Sequence, residues 1–203
     1  MVDRFTYLPE QFIVYAARHG KPEQRPEIRY DIPPGPQLSE RGREEAAELG
    51  RFLRGQAVLA EMQASPLERT LGTAQIAGGI CGLDFAVDPD LAEWRADETE
   101  ELLSKRVERA FRRAAERSQQ LAAPVAVVTH GGPILMVLKG LGVPKASLDR
   151  VRIYDTNPIS TAGVWRVERT NGHVKVELAF VPTGHRLPPE DARCYILPVE
   201  EKI

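Results

Sequence analysis

Two stretches of this chain end the same way, and that repetition limits the folds open to it. Phe12-Ile13-Val14-Tyr15-Ala16-Ala17-Arg18-His19-Gly20 is an apolar run closed by arginine, histidine and glycine. Pro124-Val125-Ala126-Val127-Val128-Thr129-His130-Gly131-Gly132 is a second, closed by histidine and two glycines. Neither run alternates polar with apolar residues, so each reads as a strand covered on both faces, as in a parallel or mostly parallel sheet. The apolar segment Ile134–Leu138 after the second reads as a helix. In open α/β sheets the ligand lies beyond the carboxyl ends of the strands. Two of the four histidines thus fall at equivalent strand ends, each beside a glycine that permits a sharp turn or close approach of a ligand.

The expected fold class is therefore α/β, a three-layer arrangement with a mostly parallel central sheet flanked by helices. At 203 residues the chain suits one domain over 1–203, with the proline-rich 181–203 as a C-terminal extension packed on it. A net charge of −2 offers no whole-chain attraction for nucleic acid or an acidic membrane. Cys81 and Cys194 form no CxxC pair, and no histidine cluster has metal spacing, so neither a disulfide scaffold nor a metal site is expected. The amino terminus lacks a signal-peptide pattern and no apolar run reaches membrane-spanning length. A cytoplasmic location is the expectation.

Between the two strand ends the sequence is punctuated clearly. Lys21 to Pro36 is polar and proline-rich, a long loop beside the site. Ser39 is placed to cap a helix running to about Arg54, with Gly55 as its stop. Glu61–Ala64 reads as a short strand. Ser65 and Pro66 read as the cap and first residue of the next helix, which puts Arg69 in its opening turns, near amides that favour anions. That helix ends in Gly78–Gly82, which lacks the spacing and lysine of a P-loop. Asp84–Val87 reads as a strand and Asp88–Glu101 as an acidic loop. Ser104–Leu121 is amphipathic, with Arg106, Arg109, Arg112, Arg113 and Arg117 assigned to a solvated face. Ser160–Glu168 and His173–Leu178 read as strands joined by a turn at Asn171-Gly172, with His173 exposed.

Arg18, His19, Arg69 and His130 are two fixed cations and two imidazoles that this fold can bring to one sheet edge. Arginine gives forked, charge-assisted hydrogen bonds to phosphate oxygens. A histidine between cations has its protonated form disfavoured and remains a free nucleophile. No paired carboxylates accompany them to hold magnesium, so the positive charge must come from side chains. Covalent phosphoryl transfer through a phosphohistidine is the chemistry this set suits.

These residues resemble the histidine phosphatase superfamily, also called phosphoglycerate mutase-like, in family order from about Phe12 to Phe180. The likeness rests on Arg18-His19-Gly20, on Leu38-Ser39-Glu40-Arg41-Gly42, on Ser65-Pro66-Leu67-Glu68-Arg69-Thr70 with Thr73-Ala74, and on Thr129-His130-Gly131-Gly132. It implies that His19 is the nucleophile and that Arg18, Arg69 and His130 bind the phosphoryl group, with Gly20 and Gly131 contributing to the substrate site. It implies a glutamate acid after a Leu-x-Glu pattern, which Leu91-Ala92-Glu93 fits. Asn157-Pro158-Ile159-Ser160, after Tyr154, resembles a family segment near the site.

Two departures from the family pattern bear on substrate. The asparagine expected after the signature glycine is absent, leaving Gln24, Arg25 or Arg29 as substitutes. Trp94-Arg95-Ala96-Asp97-Glu98 replaces the usual Gly-x-Trp-Glu-Gly, so Asp97 and Glu98 are alternative acids. The expected function is a metal-independent phosphatase for a small phosphorylated metabolite, without a cofactor and with a homodimer compatible. The alternatives are mutase-type transfer, disfavoured by the chain's length, a catalytically weak phospholigand-binding regulator, and a phosphoprotein phosphatase.

Overall fold

A computed structural model describes residues 8–56, 58–151 and 159–198. Its centre is a seven-stranded sheet comprising β1 (Phe12–Arg18), β2 (Glu61–Ala64), β3 (Phe85–Val87), β4 (Val125–Thr129), β5 (Val164–Thr170), β6 (His173–Phe180) and β7 (Cys194–Pro198). The spatial order is β3-β2-β4-β1-β5-β6-β7. The β3-β2, β2-β4 and β4-β1 pairings are parallel, while β1-β5, β5-β6 and β6-β7 are antiparallel. Since β6 points the same way as β1, only β5 and β7 run against the rest. The helices are α1 (Glu40–Gln56), α2 (Glu68–Cys81), α3 (Glu100–Leu121), α4 (Gly131–Gly140) and α5 (Lys145–Val151).

The unbroken apolar runs are explained by a core on each face. Phe12, Val14 and Ala16 of β1 and Val125 and Val127 of β4 pack with Leu103, Val107 and Phe111 of α3 and Ile134 and Leu138 of α4. The intervening Tyr15, Ala17, Ala126 and Val128 pack with Leu49 and Leu53 of α1 and Ala74 and Ala77 of α2. Successive side chains point to opposite faces, so a strand with helices on both sides has no polar face to show. After β1 the chain leaves to α1 on one face, whereas after the adjacent β4 it leaves to α4 on the other. The divergence opens a crevice at the carboxyl ends of these two strands, the topological switch point of an open α/β sheet.

The elements expected around this frame form with shifted edges. Ser39 caps α1, its Oγ accepting the Gly42 amide at 3.1 Å, and Gly82 ends α2 in the left-handed conformation (φ 73°). Asn171 and Gly172 close the β5-β6 hairpin with φ of 52° and 76°, as a two-residue turn that matches strand twist requires. His173 is exposed. The start of α2 differs from expectation: its N-cap is Leu67, with no side-chain cap. Ser65 is drawn onto the sheet instead, its amide donating to the Val128 carbonyl at 3.0 Å. The tail supplies β7, an edge strand too short and proline-flanked to stand out in the sequence. Among the described residues Cys81 and Cys194 are free, and no helix is long and apolar enough to cross a membrane.

Two motifs far apart in sequence meet where β1 ends. A Cβ on Gly20 would lie 2.3 Å from the Gly42 carbonyl oxygen, and one on Gly42 would lie 1.9 Å from that of Lys21. Across this contact the Ser39 Oγ donates to the Lys21 carbonyl at 2.9 Å, and the Lys21 amide donates to the buried Glu45 carboxylate at 2.8 Å. The start of α1 is thus clamped onto the peptide after His19. Because the atoms that would clash are backbone, Gly42→Ala should destabilise the protein by about 2–4 kcal/mol in urea unfolding. Gly55→Ala, which meets nothing within 4 Å, should stabilise it by about 0.5–1 kcal/mol. Equal effects of the two substitutions would refute the backbone clamp.

Candidate active site

The parallel register Arg18↔Thr129 makes His19 and His130 the first residues beyond two adjacent strand ends. The His19 amide donates to the Thr129 carbonyl at 3.0 Å, and the two rings meet edge to face at 5.1 Å. Both histidines are buried. His19 Nδ1 is 2.8 Å from the Gly20 carbonyl, so Nδ1 carries the proton and Nε2 keeps its lone pair. That Nε2 accepts Arg69 Nε at 3.1 Å. Thr73 supports the turn from α2, its Oγ1 accepting the Gly20 amide at 3.0 Å.

Arg18 and Arg69 are held by neutral groups. Arg18 Nη1 donates to the Ile159 carbonyl at 2.9 Å. Arg69, fully buried, donates through Nη2 to the Tyr30 carbonyl at 2.8 Å and stacks over the Tyr30 ring at 4.5 Å. Ser65 Oγ lies 2.7 Å from His130 Nε2. With that hydroxyl donating, His130 Nδ1 bears a proton. Arg18 Nε, Arg69 Nη1 and His130 Nδ1 are buried without a hydrogen-bond partner. Unpaired buried donors are costly; Arg69 Nη1 lies against Gly35, whereas His130 Nδ1 belongs to the ring beside His19, where with the two arginine charges it suits an anion.

Glu93 approaches from the loop before α3, with Oε2 3.9 Å from His130 Nδ1. Its carboxyl accepts the Trp94 amide at 2.8 Å and lies close against Gly132 near the start of α4, where a Cβ would be 2.7 Å from Oε1. The electrostatics follow from burial. Desolvation, then the charges of Arg69 and Arg18, pushes His19 well below the usual histidine range. His130 is lowered likewise by desolvation, Arg69, His19 and Arg18. Burial raises Glu93 despite its amide bonds and the nearby arginines, and burial lowers Arg69 to about 10. The crevice therefore holds neutral imidazoles, cationic arginines and a carboxyl whose proton is retained more readily than usual.

Arg18, His19, Arg69, His130 and Glu93 come together, with Gly20 and Gly131 at the two strand ends. The alternative acids stand elsewhere. The Asp97 side chain is 81% exposed beside Arg95, and Glu98 is locked to Arg106. Nor do the suggested substitutes for the missing asparagine enter: Gln24 is exposed, Arg25 lies against Glu23 and Glu27, and Arg29 pairs with Asp31. Arg106 is buried, which corrects its assignment to a solvated face. Tyr154, Asn157 and Pro158 lie outside the described residues. Tyr30, Ser65 and Thr73 were not anticipated as site residues. A serine directly after a short strand beside the histidine strand was the available signal for Ser65, Thr73 stood only within the family-like Thr73-Ala74 pair without a role, and nothing local marks Tyr30.

Residues 14–105 and 97–180 match the family model of the histidine phosphatase superfamily (branch 1). No curated protein matches the sequence. Among solved structures, a phosphoglycerate mutase from Bacillus anthracis superposes with a TM-score of 0.69 at 18% identity, over 83% of this chain and 92% of that one. YhfR of Bacillus stearothermophilus gives 0.64 at 21% identity, over 78% and 93%. A mycobacterial glucosyl-3-phosphoglycerate phosphatase gives 0.57 at 19% identity, over 78% and 90%. At these identities the structural likeness is one of fold, while the family match spans most of the chain. The chain belongs to the histidine phosphatase superfamily.

Burial of two neutral histidines has a measurable consequence. Below about pH 6.5 the unfolded chain protonates its histidines while native His19 and His130 resist, so their contribution is full above that value and lost as pH falls toward their lowered native values. Glu93, raised, works in the opposite sense, stabilising at low pH and losing that contribution as pH rises through its native value. The depressed carboxylates Asp90 and Glu98 act mainly below about pH 4. Between pH 6.5 and 5, urea stability should therefore fall by up to about 1.4 kcal/mol per pH unit for each histidine. The His19→Gln/His130→Gln double variant should show a flatter slope; an unchanged slope would mean that these two residues do not set it.

Proposed function

We propose that the protein is a metal-independent phosphatase that hydrolyses a small phosphomonoester through a phosphohistidine on His19. The observation that carries this reading is the placement of His19 Nε2, deprotonated and against Arg69, beside His130 with its unpaired Nδ1. The Arg69 guanidinium and the His130 imidazole stand close enough to the nucleophile to hold phosphoryl oxygens, and the Arg18 charge adds to theirs. Among the described residues no group of three or more His, Cys, Asp or Glu could hold a metal ion. Charge neutralisation is assigned to the arginines.

In the first step the Nε2 lone pair attacks phosphorus, the P–O bond to the alcohol breaks, and Glu93 gives its proton to the departing oxygen. The raised pKa of Glu93 suits it to start as the acid. In the second, the Glu93 carboxylate takes a proton from water, whose oxygen attacks phosphorus. The N–P bond breaks, its electron pair returns to Nε2, and phosphate leaves. The family match and the phosphatase among the structural relatives support this reading.

Purified protein given small phosphomonoesters in the presence of a chelator should release phosphate. A brief quench at low temperature should trap one phosphoryl group on His19 by mass spectrometry. His19→Ala should abolish both, and Glu93→Gln should lower turnover by about 10²–10⁴-fold. Turnover by His19→Ala equal to wild type would refute the covalent route. Failure of every ester, with phosphate or vanadate still bound and that binding lost in Arg69→Ala, would favour a phospholigand-binding protein instead.

A further inference from the structure

Arg106 spends its hydrogen-bond donors on the loop that carries Glu93. Its Nε and Nη2 donate to the two Glu98 carboxylate oxygens at 2.6 and 2.7 Å. Its Nη1 donates to the carbonyls of Asp90 and Ala92 at 2.9 and 2.7 Å, and Nη2 also donates to the Glu93 carbonyl at 2.7 Å. A guanidinium has five N–H groups, and each has a partner. Arg106 and Glu98 are 9% and 8% exposed.

The consequence falls on Glu93. Arg106 fixes its carbonyl directly, and Glu98 in turn accepts the Trp94 indole N–H through its own carbonyl at 2.8 Å. The Trp94 amide then meets the Glu93 carboxyl at 2.8 Å. The acid loop is therefore wound around one cation, with the Glu93 carboxyl at the end of the chain of bonds. The far side of the loop is tied to β4, where Thr129 Oγ1 donates to the Leu91 carbonyl at 2.6 Å beside His130. Arg106 itself sits on α3, a helix anchored in the core by Leu103, Val107 and Phe111. A carboxyl on a loop thereby gains the positional precision of a helix.

We infer that Arg106 is the positioning residue for Glu93: by organising residues 90–98 it holds the Glu93 carboxyl where a leaving oxygen must be protonated. This rests on the phosphatase reading above. The surrounding charges agree with a dedicated role. Arg109 and Arg113, on the same helix, engage the Asp90 and Asp88 carboxylates at the surface, leaving the backbone of the loop to Arg106. Lysine cannot substitute, because an ammonium has three donors and no planar fork for two carboxylate oxygens.

The test compares phenyl phosphate, whose leaving group needs a proton, with 4-nitrophenyl phosphate, whose leaving group departs without one. For Arg106→Lys, kcat/KM for phenyl phosphate should fall about 10–100-fold, within the range of a lost general acid. In kcat/KM, which reads only the steps up to alcohol release, the nitrophenyl ester should stay near wild type, as should vanadate affinity; Glu93→Gln should show the same selectivity in kcat/KM while its kcat falls for both esters, because water activation is lost with the carboxylate. An equal fall for both esters together with weaker vanadate binding would show a general structural role and overturn the inference, as would no change at all. If Arg106→Lys does not fold, Glu98→Gln, which weakens the fork but keeps the three carbonyl bonds, is read by the same criteria. If the wild type hydrolyses neither ester, the phosphatase reading fails on its own. The positioning is then read from Trp94 emission, since Trp165, the other tryptophan, is fully buried: a red shift in Arg106→Lys supports it and an unchanged spectrum overturns it.

Discussion

The pairing of β1 with β4 is the constraint on which everything else in this structure depends. In parallel strands the register is set by buried side chains, and a slip of one residue would send each side chain into the opposite core, whose packing it does not match. With Val14 opposite Val125 and Arg18 opposite Thr129, both cores are filled and the two histidines emerge side by side. The chain then diverges to opposite faces of the sheet and leaves the crevice open. The same contacts that stabilise the fold therefore set the separation of the His19 and His130 imidazoles.

Such a crevice concentrates groups that burial would ordinarily exclude. Arg18 and Arg69 are held by carbonyls, an imidazole nitrogen and an aromatic face. Among the described residues neither pairs with a carboxylate within ion-pair distance. A carboxylate in contact would neutralise each cation and compete for its donors. Carbonyls fix orientation while leaving the positive charge of each guanidinium for an anion. The cost is carried by the fold: two imidazoles are kept neutral and Arg69 is lowered to about 10. These are the shifts expected where geometry is maintained against desolvation.

The loops divide the remaining work. The one after β1 lays Tyr30 against Arg69, while Asp31 accepts the Ala96 amide at 3.0 Å, joining the mouth loop to the acid loop. Behind the site, His185 lies 2.8 Å from Glu45, whose other oxygen takes the Lys21 amide, so the C-terminal segment supports the peptide next to His19. Each contact links segments remote in sequence. The site is preorganised by the sum of them rather than by any one element.

Much of this was legible from residue order. Unbroken apolar runs ending in His-Gly determined strands buried on both faces, because only a two-sided cover removes polar alternation. The order of motifs determined the family, and Ser39, Gly82 and Asn171-Gly172 marked their boundaries by local backbone chemistry. Other features were beyond local reading. Arg106 has the helical spacing of its solvated neighbours, and only the folding of residues 90–98 around it makes it a buried anchor. Ser65 has the sequence of a helix cap, but a strand beside it and an imidazole within reach compete for its groups and win. The choice among Glu93, Asp97 and Glu98 as the carboxyl nearest His130 was likewise made by tertiary structure. Three acids within six positions are chemically alike in sequence, and only the path of the backbone decides which is desolvated, which is paired and which is left in water.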